Sequence, residues 1–157
     1  MDGSRTFVIQ IQALCAPGIS RQVNGLQNGK ANMIISILMK QAGLKLEANA
    51  VFLNVVGGAT LTETAGDLAV AAAICSSFLE FPIPKHVAFI GEIGLGGELR
   101  AVPKMEKRVS TVAKLGYKTC VVPKSAEKVL HGLDFGDLEV LGCNNLKEVI
   151  NTVFTTN

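Results

Sequence analysis

The sequence predicts an α/β fold, with a mixed sheet and packed helices in α+β order rather than a regular βαβ series, as a single domain. Three observations predict it. Short runs of alternating apolar and polar residues exchange with runs of helical spacing along the whole chain, with no linker-like or low-complexity segment between them. Aromatic residues make up only 5%, with no Trp and one Tyr, so Val, Ile, Leu and Ala must build the core, as where helices pack on a sheet. One central helix is apolar almost all round, which makes it the element that several others must cover. The length of 157 residues is that of one domain with a sizeable core, and 48% hydrophobic against 18% charged residues is a folding composition.

The first strand is predicted over Thr6 to Leu14, where Ile9, Ile11 and Ala13 alternate with Gln10 and Gln12. Ala16-Pro17-Gly18 ends it, Ile19 to Val23 reads as a returning strand, and Asn24-Gly25 and Asn28-Gly29 mark turns. A helix follows over Ala31 to Ala42, with Met33, Ile34, Ile37 and Leu38 on one face and Gly43 as its stop. Ala50 to Val56, nearly continuous in apolar residues and ending in Gly57-Gly58, reads as a strand buried on both faces. Thr64-Ala65-Gly66-Asp67 has the form of a capping box opening the central helix, which runs to about Leu79 through Leu68, Val70, Ala71, Ala72, Ala73, Ile74 and Cys75. Pro82 and Pro84 break the chain. Strands are predicted at His86 to Ile90 and Glu98 to Val102, then a helix from Lys104 to Leu115 and a strand at Thr119 to Val122. A short helix at Ala126 to Leu130, a strand at Leu138 to Leu141 and a helix from Leu146 to Phe154 complete the series.

The composition excludes several classes of function. Cys15, Cys75, Cys120 and Cys143 are far apart in sequence and show no Cys-x-x-Cys spacing, so they read as reduced, mostly buried thiols rather than zinc ligands or a disulfide framework. His86 and His131 stand apart from clustered carboxylates, so no metal site is expected. The apolar run from Leu68 to Phe81 is interrupted by Ser76, Ser77 and Glu80 and is too short to span a bilayer, so no membrane partner is expected. Met1-Asp2-Gly3-Ser4 reads as a start residue followed by a cloning scar, leaving residues 5–157 as the domain. A net charge of +2 does not by itself imply nucleic acid. Gly91-Glu92-Ile93-Gly94-Leu95-Gly96-Gly97 lacks both the dinucleotide-binding spacing and a Gly-Lys-Thr/Ser ending, so it reads as a tight turn between strands with no cofactor to hold.

Charge is the remaining signal. On the helix from Lys104 to Leu115, Met105, Val109, Val112 and Ala113 fall on one face, and Lys104, Lys107, Arg108, Thr111 and Lys114 on the other, with Arg100 just before and Lys118 just after. A solvated basic face and a surface that tracks phosphates both fit this pattern, and Glu98 and Glu106 dilute it.

Several separated motifs, in order, give the chain a family resemblance. Val8-Ile9-Gln10-Ile11-Gln12-Ala13-Leu14, Val51-Phe52-Leu53-Asn54-Val55-Val56-Gly57-Gly58, Thr62-Glu63-Thr64-Ala65-Gly66-Asp67-Leu68-Ala69-Val70 and Gly91 to Arg100 together resemble the C-terminal region of RadA/Sms-type DNA repair ATPases, from about Thr6 to Phe154. The resemblance implies a Lon-protease-like fold, in a family whose full-length members carry a zinc motif and a RecA-like ATPase core and use ATP, magnesium and zinc. None of the zinc motif, the Walker loop or the family's Lys-Asn-Arg-Phe-Gly signature occurs in this sequence, so no ATPase activity is expected of this chain. Aligned to the Ser–Lys dyad of Lon, the nucleophile position falls on Ala65 and the lysine position on Glu106. A dyad needs a hydroxyl within reach of a lysine that can lose its proton, and neither residue supplies its half. Thr64 is the nearest hydroxyl and Lys107 the nearest lysine, but capping accounts for the threonine.

The resemblance thus implies no peptidase. It implies a domain serving ring assembly and DNA contact during branch migration, with single-stranded or branched DNA and further copies of the chain, as a hexameric ring, as partners. The implied DNA-contact residues are Arg100, Lys104, Lys107, Arg108, Lys114 and Lys118. A pure oligomerisation scaffold and an unconventional serine peptidase are the alternatives. An intracellular setting is expected, either bacterial cytoplasm or, since the segment Gln27 to Lys30 and the apolar Phe78 to Phe81 have a plant-like flavour, a chloroplast or mitochondrion.

Overall fold

The computed structural model describes residues 10–56 and 63–155. The predicted first residues of the opening strand, Gly57-Gly58, Thr62 and the leading residues 1–4 lie outside the described residues. The fold is α/β, with five helices and three small sheets among the described residues rather than one mixed sheet.

The first sheet has the order β1 (Ile11–Pro17), β3 (Asn49–Val55), β2 (Arg21–Asn24). The expected returning strand does run back, but it does not pair with β1. β3 lies between them, antiparallel to β1 with Ala13 opposite Leu53, and parallel to β2 with Val23 opposite Leu53. The turn residues explain the separation. The Gly18 N–H donates to the Ala48 carbonyl and the Val51 N–H to that of Ser20, so the segment joining β1 to β2 is held by the start of β3. β3 is also not buried on both faces as predicted. Val51, Leu53 and Val55 enter the core, while Phe52 is half-buried and Asn54 exposed, its amide donating to Gln12. An apolar run hides this alternation because Phe52 is apolar on the outer side.

Between β2 and β3 lies α1 (Asn28–Ala42), which begins before the predicted Ala31 and absorbs the expected Asn28-Gly29 turn into its first turn, where backbone N–H groups lack partners in any case. Its end is as read from the sequence: Gly43 adopts φ 75°, and the Leu44 N–H returns to the Leu38 carbonyl 3.2 Å away.

A 3-10 turn (Thr64–Gly66) leads into α2 (Asp67–Leu79). The capping box predicted here does not form. Asp67 is buried and its carboxylate turns to the Ile93 N–H and to Lys30, while the Leu68 N–H is taken by the Gly91 carbonyl. As the all-round apolar pattern predicted, α2 is the hub, burying Leu68, Val70, Ala71, Ala72, Ala73, Ile74 and Cys75 against β1, α1, β4 (Val87–Phe89) and β5 (Glu92–Ile93).

The second sheet is parallel throughout: β4 (Val87–Phe89), β7 (Thr119–Pro123), β8 (Glu139–Cys143). β7 is its central strand and the one buried on both faces, with Val121 in the core around α2 and Cys120 and Val122 in a second core under α3 (Met105–Lys114) and α4 (Lys124–His131). The sheet is therefore the middle of three layers. α5 (Leu146–Val153) closes the α2 side, capped by Asn145, whose side chain accepts the Glu148 N–H at 2.9 Å while Glu148 accepts that of Asn144 at 2.8 Å.

The third sheet is a hairpin of β5 (Glu92–Ile93) and β6 (Leu99–Arg100). The sequence predicts a single longer strand from Glu98 to Val102 and misses β5. Two-residue strands carry no periodicity to detect, and the pair is created by the tight Gly94–Gly97 turn.

Candidate functional site

The basic helix has the two faces its spacing predicts. Met105, Val109 and Val112 are buried, and Lys104, Lys107 and Lys114 are exposed, with Lys118 exposed beyond the helix end. Lys107, Ser110, Thr111 and Lys114 line one wall of a groove of about 450 Å³, with Leu133, Asp134 and Phe135 opposite. Two lysines seven positions apart on a helix stand roughly 10 Å apart along its axis. Glu106 also lines this groove, whereas one Asp134 carboxylate oxygen accepts the Gly136 N–H at 2.9 Å.

The six sequence-predicted cations divide into two groups. Lys104, Lys107, Lys114 and Lys118 form no ion pair among the described residues. The two arginines are occupied. Arg100 holds Glu98 at 2.6 Å, a pairing that keeps the Glu98 carboxyl below its ordinary range and raises the guanidinium further. Arg108, only 15% exposed at its side chain, donates to the Pro103 carbonyl at 2.9 Å and to Glu63 at 2.7 Å. It turns from the lysine face into the cleft beside the 3-10 turn. The partner of Arg108 is not legible from helical spacing, since Glu63 is distant in sequence, whereas Glu98 stands two residues from Arg100, the spacing of one strand face.

The glycine-rich turn is filled from within. The Glu98 carboxylate lies where a side chain on Gly94 would stand and accepts the Gly96 N–H at 3.0 Å. Gly97 needs its φ of 83°, and a Cβ there would meet the Gln41 Cβ at 2.9 Å. An internal carboxylate thus takes the place where an anion would sit.

The two positions aligned with a Ser–Lys dyad line different depressions. Ala65 is buried beside the cleft that Arg108 enters, whereas Glu106 is exposed and lines the grooves on the outer side of α3. The four cysteines are free thiols. Cys75, Cys120 and Cys143 are buried and Cys15 half-buried, and burial pushes the Cys75 and Cys120 thiols up to about 12. Among the described residues no group of three potential metal ligands comes together, and no helix is long and apolar enough to cross a membrane.

Comparison with known proteins supplies the family. Residues 26–126 match the family described as subunit ChlI of Mg-chelatase. DNA repair protein RadA of Streptococcus pyogenes serotype M1 is 39% identical over 160 aligned residues, covering 99% of this chain and 35% of that protein. RadA of Streptococcus pneumoniae is 38% identical, covering 98% and 37%, and RadA of Mycolicibacterium smegmatis 35% identical, covering 98% and 32%. The chain spans about a third of the length of these curated relatives. With the match to the family model running from α1 through β7 into α4, the chain belongs to the ChlI family and is a relative of the DNA repair proteins RadA.

Proposed function

We propose that this chain is the Lon-like, non-proteolytic domain of a RadA-type DNA repair protein, and that the lysine face of α3 contacts DNA. The observation that carries the reading is the identity to DNA repair proteins RadA across nearly the whole chain. The physical support is local: four exposed lysines on and beside one helix, spaced along the axis rather than clustered, suit a backbone that carries a charge at every step. Arg100 and Arg108 contribute less than their charge suggests, because Glu98 and Glu63 hold them. Hydrolysis of a peptide has no support from Ala65, which offers no nucleophile, or from Glu106, which has the wrong charge for a base. In this reading ATP, magnesium and zinc belong to the parts that RadA proteins have beyond this chain, and the chain works within a homo-oligomeric ring, hexameric in the full-length protein, during branch migration.

The occupied arginines and the intervening Glu106 favour a second reading, an assembly scaffold with no DNA contact. The deciding measurement is binding of this chain to fluorescent single-stranded and branched DNA across a salt series, beside the triple variant K104E/K107E/R108E and the double variant K107Q/K114Q. The DNA-contact reading expects salt-sensitive binding that the triple variant loses. It also expects a log–log salt slope on single strands that drops by about 1.4 in the double variant, at roughly 0.7 per phosphate contact removed. No binding at low salt by a folded chain would leave the scaffold.

A further inference from the structure

The second sheet ends at β8. One side of that strand bonds to β7, and among the described residues no strand pairs with the other. The bond from the Glu139 N–H to the Lys118 carbonyl at 2.9 Å fixes the register. Glu139, Leu141 and Cys143 therefore turn their backbone groups toward β7, while Val140 and Gly142 turn theirs outward. Outward N–H and C=O groups on an edge strand are a template on which a further strand can form.

Side chains take the place of that strand here. The Glu127 Oε2 accepts the Gly142 N–H at 2.7 Å, and the His131 Nε2 lies 3.0 Å from the Val140 carbonyl. A carbonyl only accepts, so that ring nitrogen carries the proton. Glu127 and His131 stand four positions apart on α4, hence on one face of it, the face that overhangs the edge of β8. The Lys124 ammonium, 2.8 Å from the other Glu127 oxygen, steadies the carboxylate. Lys124, and after it the Gly142 N–H, hold the Glu127 carboxyl below its ordinary range, so it remains an acceptor at neutral pH. Gly142 fits the arrangement, because a Cβ there would lie 2.7 Å from the Glu127 Oε2 and 2.9 Å from the Glu127 Cβ. Just past the strand the cover continues: Glu148 accepts the Asn144 N–H at 2.8 Å, and the Asn144 carbonyl takes the Leu99 N–H at 2.9 Å. Of the outward groups of β8, the Val140 N–H and the Gly142 carbonyl meet no partner among the described residues.

We propose that Glu127 and His131 form a latch that keeps the outer edge of β8 closed to strand addition, and that a second copy of this chain pairs with that edge once the latch is removed. The occupant follows from the strand itself. An antiparallel β8 from another copy presents the same N–H and C=O groups in reverse order, so donor meets acceptor in a two-fold contact. The latch lies on the far side of α4 from α3, whose groove takes Ala126, Val129 and Leu130 instead, so the inference stands apart from the DNA reading.

The test compares the full wild-type chain with E127A/H131A by sedimentation velocity over a concentration series, and with peptide-level hydrogen–deuterium exchange on the same samples. Glu127→Gln keeps a carbonyl oxygen for the Gly142 N–H, and Lys30→Met weakens the fold at a distance from β8, so the two separate an open edge from general loosening. Far-UV circular dichroism checks that each variant folds, and Glu127→Ala alone decides if the double variant does not. The proposal expects E127A/H131A to reach a weight-average mass about twofold that of the wild-type chain or more, as for a symmetric pair. Exchange over Leu138 to Asn144 should slow as it associates, while E127Q and Lys30→Met keep the wild-type mass. Wild-type mass in the folded alanine variant, equal association by E127Q or Lys30→Met, or association that leaves exchange over Leu138 to Asn144 unchanged would each overturn it.

Discussion

Asp67 shows how a single residue sets local order in this protein. It is 2% exposed, lies 3.2 Å from the Lys30 ammonium and accepts the Ile93 N–H at 3.2 Å, so one carboxylate ties α1, α2 and β5 together. Burial pushes its pKa up, and the Ile93 N–H and Lys30 only partly oppose that. The sign of the linkage follows. The native state holds the proton more tightly than the unfolded chain, so this group's contribution is fully present below the unfolded pKa of about 4 and is lost as pH rises through the folded value. Removing the partner exposes the cost. Lys30→Met is expected to destabilise by about 2–3 kcal/mol at pH 7, below the full figure for a wholly buried pair because Lys30 is itself 25% exposed. At pH 4 the loss should shrink as Asp67 takes up its proton. Urea unfolding at the two pH values checks this, and an equal loss at both would show that Lys30 acts through packing alone.

At the scale of the element, helix ends and turns divide into those that sequence fixes locally and those set by distant partners. Gly43 ends α1 as read, because a left-handed residue after an apolar face is a local requirement. The cap at Asn145 is equally local, and Asn145→Ala is expected to cost about 1 kcal/mol in thermal or denaturant unfolding, through loss of the bond to the Glu148 N–H. The apparent capping box at Thr64 fails because Asp67 finds better partners in β5 and α1, which no four-residue pattern can reveal. The hairpin of β5 and β6 depends on the glycine turn in the same way. Gly97→Ala should destabilise by more than about 1 kcal/mol, from a positive φ and a crowded Gln41, and the melting temperature of that variant reads it. A smaller loss would mean that Gln41 swings aside freely.

At the scale of the whole molecule, the placement of the second sheet between two helical layers explains why its central strand, β7, is buried on both faces and β3 is not. The two strands have similar apolar runs, and only position in the fold distinguishes them. The same arrangement leaves the lysines of α3 on the outer layer and Ala65 at an inner cleft, so the two lie on different faces. Replacing Lys107 and Lys114 on α3 is therefore expected to weaken DNA binding with little change in melting temperature, since both side chains are exposed, and thermal unfolding beside the anisotropy assay checks it.

The sequence by itself determined the α/β class, the central role of α2 and the two faces of α3, because periodicity and residue identity are local properties. Only the tertiary structure decided that β3 separates β1 from β2 and that Glu63 occupies Arg108, one of the six expected cations. Each of these depends on groups brought together from far along the chain. Which strand bonds to which is chosen by the summed packing of all the layers, not by the pattern within any one segment.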